Sequence, residues 1–296
     1  MIGAAYALVA SVCWAVSNTL IKSVVARIDA LSLSALRLCV ATVFLLALVA
    51  LTGAGAELVN TPWLSLVYVI ISGIAAQAIG DTIYIKSLSY LNVSQAFPIA
   101  QCAYPLATML LAVSLLGEPF NWVTGLGTFL VLLGIYLITY TRKAPATDHT
   151  AGRMGGRGIV MALAAGIVWA ASATVLKLGV TGMNPLAAGA VRMSSGTIAL
   201  LPLTLSQRKK GAWQLKKYGA RSVALALASG LVDYGAGMVL FIMAMQLIGA
   251  GRTVVLAASS PIFLLPFSVF ILKEKLTRFT LAGILAGVAG ICLVTI

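Results

Sequence analysis

Long apolar segments alternate with short polar connections along the whole chain. Each segment holds about 20 residues, the length that an α-helix needs to cross the hydrocarbon core of a bilayer. The segments are continuously apolar and do not alternate with a period of two, so they predict helices and not the strands of a barrel. The ten predicted spans are residues 4–24, 33–52, 65–88, 94–116, 120–141, 157–178, 184–205, 221–247, 250–272 and 276–296.

Composition supports the same fold class. Hydrophobic residues make up 61% of the 296 positions and charged residues only 9%, values that exclude an ordinary soluble domain. The first apolar segment is of full length and follows no basic leader, so we expect a span there and not a cleaved signal peptide. The sequence therefore predicts an all-α membrane protein with ten transmembrane helices.

An internal repeat divides the chain in two. The run at residues 10–17 returns at residues 165–172, and Arg37 is answered by Arg192 at the same separation of 155 positions. Because each half holds five predicted spans, an odd number, we expect the second half to be inserted upside down relative to the first. The predicted units are two inverted five-helix repeats, residues 1–141 and 157–296, joined by a polar linker at 142–156.

Basic residues favour one set of connections. Of the 20 lysines and arginines, 17 lie in or beside the connections after spans one, three, five, seven and nine, with Arg37 counted among them. The other three are Lys177, Arg192 and Arg252. By the positive-inside rule, the basic connections face the cytoplasm and both termini lie outside. Orientation thus accounts for the net charge of +13, so we expect contact with membrane lipid and no nucleic-acid partner.

Two aspartates fall inside predicted spans. Asp81 lies in the third span and Asp233 near the middle of the eighth. A charge at the bilayer centre costs at least about 2.5 kcal/mol, so each carboxylate needs a cavity or a partner. One hypothesis is that they line the substrate path, where they bind an ammonium group or carry a proton. The alternative is a structural ion pair with Lys22, Lys86 or Arg252.

Other polar and aromatic residues accompany the two acids. Gln77 and Tyr84 are spaced to share one helix face with Asp81, and Trp14 and Asn18 form a mixed stripe on the first span. Such residues can line a cavity or hold helices together. The candidate substrate-binding or coupling residues are Trp14, Asn18, Gln77, Asp81, Tyr84, Gln101, Tyr104, Trp169, Ser172, Asp233, Tyr234 and Ser260.

The sequence contains no pattern for metal or catalytic chemistry. The four cysteines have no Cys-x-x-Cys spacing, and His149, the only histidine, falls in the predicted linker. A phosphate-binding Gly-x-x-x-x-Gly-Lys-Ser/Thr loop is also missing from the chain, so we expect energy from gradients or exchange and not from ATP. We predict no metal, no cofactor and no enzymatic activity.

Short motifs after the fourth and ninth spans occur in both halves. Leu-Gly-Glu-Pro surrounds Glu118 and Lys-Glu-Lys surrounds Glu274, each followed by a glycine-rich span. Together with the tryptophan repeat, this pattern resembles the EamA-type ten-helix transporters of the drug/metabolite transporter superfamily. The resemblance implies two inverted repeats, alternating access, and a central cavity lined mainly by spans one, three, four, six, eight and nine. It also implies a structural role for Arg37 and Arg192.

The leading functional hypothesis is a secondary transporter for a small polar metabolite, an amino acid or a related amine-bearing solute. An anion exchanger for phosphorylated or nucleotide-linked metabolites, using Lys22, Lys177 and Arg252, is the second hypothesis. A multidrug exporter and a lipid-handling membrane protein are further alternatives. Ten helices can enclose a path without a partner, so we expect a monomer in the cytoplasmic membrane of a prokaryote.

Overall fold

The computed structural model describes residues 1–22, 24, 27–91, 93–140, 156–208, 218–263 and 278–296. Within these ranges the chain is helical and forms no strand. Eight helices are long and apolar enough to cross a membrane, and Trp122–Ile138 is a shorter apolar helix. The second part of the predicted ninth span, Glu274 and His149 lie outside the described residues. The all-α membrane class is confirmed, and the count of ten spans stays a prediction.

The helices follow the predicted spans closely, but two spans are composite. The third is built from α4, a π-helix and α5, and the eighth from α10, a second π-helix and α11. The α-helices are α1 (Ile2–Lys22), α2 (Ala30–Thr52), α3 (Ala56–Val59), α4 (Trp63–Gly73), α5 (Asp81–Ser87), α6 (Val93–Leu116), α7 (Trp122–Tyr140), α8 (Gly156–Val180), α9 (Pro185–Arg208), α10 (Ala220–Gly230), α11 (Met238–Ile248), α12 (Ala250–Ala257) and α13 (Arg278–Thr295). The π-helices are π1 (Ile74–Gly80) and π2 (Leu231–Gly237).

A glycine stands at each border of both π-helices and allows close packing there. A Cβ on Gly230 would lie 2.6 Å from the backbone oxygen of Arg37, and one on Gly80 would lie 2.6 Å from Nε1 of Trp169. The third and eighth spans therefore approach the opposite half of the chain at their glycines. π-helices are rare, and those that occur are often found at functional sites. Their presence in both composite spans therefore makes these spans candidates for the functional site.

The two halves are interlocked through most of their helices. α1 packs against α10, π2, α11 and α12, while α8 packs against α4, π1, α5 and α6, and α7 against α13. Thr42 and Thr197, which occupy equivalent positions of the repeat, touch each other with 2.8 Å between their hydroxyl oxygens. The apolar core consequently lies between the halves and contains side chains from both.

Polar contacts join the two halves at both ends of the bundle. At one end, the Asn184 amide donates to Glu57 at 3.0 Å. At the other, the Tyr218 hydroxyl donates to Asp29 at 2.8 Å, and Asp29 also caps α2 by accepting from the Ser32 backbone N–H. Partial burial raises the pKa of the Asp29 carboxyl, but these hydrogen bonds outweigh it and hold the pKa below its ordinary value.

Candidate functional site

An arginine and an aspartate form an ion pair between the halves. Arg37 on α2 pairs with Asp233 on π2, and the side chains are only 10% and 15% exposed. Ser17 on α1 connects both, because its hydroxyl donates to Asp233 at 3.1 Å and accepts from Arg37 at 3.1 Å. Tyr234 places its ring 4.6 Å from the guanidinium carbon of Arg37. We call these four residues the Arg37 centre.

Among the residues that the structure describes, the cation at Asp233 is Arg37, which was not one of the three considered from sequence. Lys86 is exposed, and Arg252 donates to the Thr124 hydroxyl at 3.3 Å. The side chain of Lys22 lies outside the described residues. Asp233 is therefore held as half of a buried pair by Arg37, which is 8% exposed. Because its charge is already compensated, Asp233 is not free to anchor a charged ligand.

Asp81 has different surroundings. Its carboxylate accepts a hydrogen bond of 3.0 Å from Nε1 of Trp169 on α8. The Trp169 ring lies 5.5 Å from the Tyr84 ring and 6.3 Å from the Tyr104 ring, measured between centroids. We call these four residues the Asp81 centre. Among the residues that the structure describes, no ion pair within 4.0 Å involves Asp81.

Arg192 is the repeat equivalent of Arg37 and is equally buried, with 5% exposure. Its guanidinium donates to the Ser172 hydroxyl at 3.2 Å and lies 3.7 Å from the Met238 sulfur. Its Nε has no hydrogen-bond partner, and in the described part of the chain no carboxylate pairs with it. The charges of Arg37 and Arg192 act on Asp81 from beyond ion-pair distance. The structure thus places the candidate residue Ser172 next to Arg192, as its hydrogen-bond partner.

Trp14 and Gln77 lie in two separate contacts between the halves, and no described hydrogen bond joins either residue to the Asp81 centre or the Arg37 centre. Trp14 packs 5.4 Å from the Phe241 ring, and its buried Nε1 has no partner. Gln77 is buried against α9, where a Cβ on Gly196 would lie 3.0 Å from the Cβ of Gln77, and its Oε1 is also unpaired. Gln77 lies in the wider turns of π1 and contacts α9, while Tyr84 lies after π1 and contacts α8. The two residues therefore do not share the helix face that the sequence predicted.

Three further candidates remain apart from these centres. Asn18 is exposed, Gln101 is half-buried and Ser260 is buried. None of the described hydrogen bonds or ring contacts connects them to the Asp81 centre or the Arg37 centre. Their role in binding stays a prediction.

Sequence reasoning treated Arg37 and Arg192 as flanking or structural charges and left them out of the candidate site. A signal was present in the repeat, because a serine precedes each arginine by 20 positions, at Ser17 and Ser172. A serine and an arginine that recur at the same spacing in both halves, one on each of two successive spans, indicate a contact between those spans. The hydrogen bonds from each arginine to its serine show that contact.

Comparison with known proteins decides the family. The sequence profile of the EamA-like transporter family matches residues 1–140 and again residues 156–296. The chain belongs to this family. As an EamA-family member of the drug/metabolite transporter superfamily it is an integral membrane transporter, and the resemblance drawn from its motifs is confirmed.

Relatives of this EamA-family chain carry general names. It is 30% identical over 129 residues to the "Uncharacterized transporter YoaV" of Bacillus subtilis, a match that covers 42% of this chain and 41% of that relative. It is 26% identical over 288 residues to an "Uncharacterized transporter" of Archaeoglobus fulgidus, covering 97% and 95% of the two chains. A solved crystal structure with 16% identity superimposes with a TM-score of 0.82 over 99% of this chain and 96% of its own, which establishes the fold alone.

Proposed function

We propose that this protein is a secondary active transporter that moves a small polar solute, an amino acid or a related amine, by alternating access. Ten spans in two inverted five-helix repeats would enclose the path. The contact between the equivalent residues Thr42 and Thr197 supports this arrangement, since equivalent residues meet where a pseudo-two-fold axis passes. Polar contacts between the halves at opposite ends of the bundle support the proposal, because alternating access needs a contact that can close the path at each end.

Asp81 is the anchor for the amine in this proposal. The observation that carries it is the difference between the two intramembrane acids: Asp233 has Arg37 as its counterion, whereas the only described hydrogen-bond partner of Asp81 is an indole N–H. A carboxylate within a membrane span is costly without a partner of opposite charge. An ammonium group arriving with the substrate would supply that partner.

The aromatic side chains around Asp81 suit the same cation. Tyr84 and Tyr104 pack against Trp169, whose indole donates to the carboxylate, and aromatic faces attract an ammonium group through their quadrupoles by about 0.5–2 kcal/mol each. A carboxylate next to several aromatic rings is therefore a coherent site for an amine. None of the four side chains of the Asp81 centre carries a positive charge that would favour a phosphorylated solute.

The proposal is tested by ligand-induced stabilisation of the purified protein in detergent. The panel contains amino acids, simple amines, nucleotide sugars and sugar phosphates, each at millimolar concentration. A ligand present at 100 times its dissociation constant stabilises the folded state by about 2.7 kcal/mol, which is a readily measured shift in melting temperature. Positive compounds are then followed as radiolabelled solutes in proteoliposomes with an imposed proton or solute gradient.

Asp81→Asn and Glu57→Gln are the matched variants, because both change a carboxylate to an amide. Glu57 lies at the end of the bundle, where it accepts from Asn184 and is remote from the Asp81 centre, so Glu57→Gln should leave the binding of the amine unchanged. Asp81→Asn should abolish the amine response. Equal amine binding by both variants would refute Asp81 as the anchor. Stabilisation by phosphorylated compounds alone would replace the proposal with anion exchange.

A further inference from the structure

The two repeats hold their buried arginines in the same way. Arg37 donates to Ser17 at 3.1 Å and Arg192 to Ser172 at 3.2 Å, and in both cases the serine is on the preceding span of the same half. The glycine that precedes each π-helix, Gly73 or Gly230, packs against the backbone of the arginine from the opposite half. The backbone environment of the two arginines is therefore equivalent.

The residues that face these arginines are not equivalent. Both π-helices have seven residues, so position three of π2 is Asp233 and position three of π1 is Ala76. The first residue after each π-helix is Met238 in one half and Asp81 in the other. The repeat position that supplies the carboxylate to Arg37 is thus occupied in π1 by Ala76, which has only a methyl group. Arg192 is therefore a buried guanidinium that pairs with no carboxylate among the residues that the structure describes.

An arginine without a counterion is expensive at this depth. Even lenient insertion scales make a charged side chain in the middle of a span unfavourable. Arg192 nevertheless has 5% exposure, a serine hydroxyl and a thioether as its described polar contacts. Gln77, which is 4% exposed and lies on π1 against α9, adds a carbonyl oxygen without a partner. Two buried polar side chains with unmet bonding capacity indicate a ligand position beside α9.

Charge balance specifies the ligand. Arg37 and Asp233 neutralise each other, which leaves one negative charge at Asp81 and one positive charge at Arg192. A simple amine would compensate Asp81 and leave Arg192 alone, while a simple anion would do the reverse. A solute with both an ammonium and a carboxylate compensates both groups and adds no net charge to the low-dielectric interior.

We propose that Arg192 is the carboxylate-binding group of the substrate site, so that the transported solute is a zwitterionic amino acid held between Asp81 and Arg192. This inference rests on the proposed function and extends it. A guanidinium binds a carboxylate through two parallel N–H donors, which gives strong and oriented recognition. Met238 contacts one of these nitrogens through a flexible thioether side chain, which the carboxylate displaces on binding.

The test compares each amino acid with its two single-charge analogues. Suitable sets are L-leucine with 3-methylbutylamine and 4-methylpentanoate, L-phenylalanine with 2-phenylethylamine and 3-phenylpropanoate, and L-serine with ethanolamine and 3-hydroxypropanoate. Affinities are measured by calorimetry or thermal shift on the full chain in detergent. In at least one set the amino acid should bind at least about tenfold more tightly than the amine, because a charge-assisted pair is worth at least that factor.

The counterion of Arg37 suggests the most informative variant. Ala76→Asp places a carboxylate at the position equivalent to Asp233, where it should pair with Arg192 and stabilise the empty protein. The same change should reduce the affinity for the amino acid to that of its amine. Ala76→Asn adds the same volume without the charge and is the matched control. Arg192→Gln should likewise remove the preference for the amino acid while the affinity for the amine stays within about threefold.

Each outcome distinguishes the inference from the function on which it rests. If amines and amino acids bind equally, and neither Ala76→Asp nor Arg192→Gln changes their ratio, Arg192 is structural while the amine site at Asp81 survives. If the amino acid preference is present in Ala76→Asp as strongly as in Ala76→Asn, the carboxylate subsite is also refuted. If no compound of any set binds, both the subsite and the proposed amine transport are wrong.

Discussion

Asp81 and Asp233 lie in corresponding composite spans, yet they have opposite relations to their surroundings. Asp233 belongs to a buried ion pair completed by a serine, and Asp81 accepts a single indole hydrogen bond. Removing one member of a buried pair strands the other charge, which costs far more than the pair itself contributes. The two residues should therefore respond differently to the same substitution.

Asp233→Asn should lower the free energy of unfolding by about 3–5 kcal/mol, because it leaves the Arg37 guanidinium buried without a counterion. Asp81→Asn should cost less than about 1 kcal/mol, since the amide oxygen can still accept from Trp169. Thermal or SDS-induced unfolding of the purified variants measures both values.

A double variant separates charge from packing. Arg37→Gln combined with Asp233→Asn removes both charges and should recover most of the loss caused by Asp233→Asn alone. If the double variant is no more stable than Asp233→Asn, or if Asp81→Asn is as damaging, the ion pair is not the source of the effect.

The sequence predicted the acids but not the partner of Asp233. The repeat and the apolar spans identified Asp81, Asp233 and the tryptophans as exceptional residues in a membrane. Arg37 was counted as a topogenic charge because it stands only four residues after the start of the predicted second span, residues 33–52. Its pairing connects positions separated by 196 residues, and that contact depends on how the halves interlock, which no local pattern encodes.

The π-helices show the same limit at the level of an element. The hydrophobic pattern of a span fully surrounded by apolar material does not change when one turn widens, so the pattern predicted two uninterrupted helices. The glycines that border π1 and π2, each pair seven positions apart, were the available signal. The consequence is functional, because the wider turns direct Gln77 to α9 and present Asp81 to α8.

The junction between α11 and α12 depends on another contact between elements. The Glu118 carboxylate accepts from the backbone N–H groups of Ala250 and Gly251 at 2.5 and 3.0 Å. Gly249 between the helices has φ of +84°, and a Cβ there would lie 2.6 Å from the Glu118 carboxylate, so only glycine fits. On the other side of this turn, the Lys177 ammonium donates to the Met245 carbonyl at 2.8 Å. Opposite charges thus complement the two helix ends.

Glu118→Gln should lower the free energy of unfolding by about 1 kcal/mol, because the amide keeps one acceptor oxygen and loses the charge that favours the helix N-terminus. Unfolding of the variant is compared with that of Glu57→Gln, an exposed carboxylate that caps no helix of comparable length. Equal stabilities of the two variants would show that the cap contributes nothing to this junction.

For the whole molecule, the contacts assign the connections to two consistent ends. Those after spans two and six meet through Glu57 and Asn184, and those after spans one and seven meet through Asp29 and Tyr218. The predicted charge asymmetry between these ends becomes clearer once the buried residues Arg37 and Arg192 are set aside, because the sequence assigns 16 of the remaining 18 basic residues to the connections of one side. We propose that this basic end faces the cytoplasm.

A reporter fused after Ile296 tests this orientation. Alkaline phosphatase, which is active only outside the cytoplasm, should be active there, and a fluorescent protein that folds only in the cytoplasm should be dark. The same reporters placed within the basic connection after span seven are the control and should give the reverse pattern. A bright fluorescent fusion at Ile296 would overturn the assignment of the termini.

The interlocking of the halves also constrains the order in which the protein can be assembled. α1 is the first of the described helices to be synthesised, but its most extensive neighbours are α10, π2, α11 and α12. α7 likewise packs chiefly against α13, the final helix of the chain. The early helices therefore remain in the bilayer with their small and polar faces uncovered until the last third of the chain has been synthesised. Neither duplicated half is a module that can mature alone.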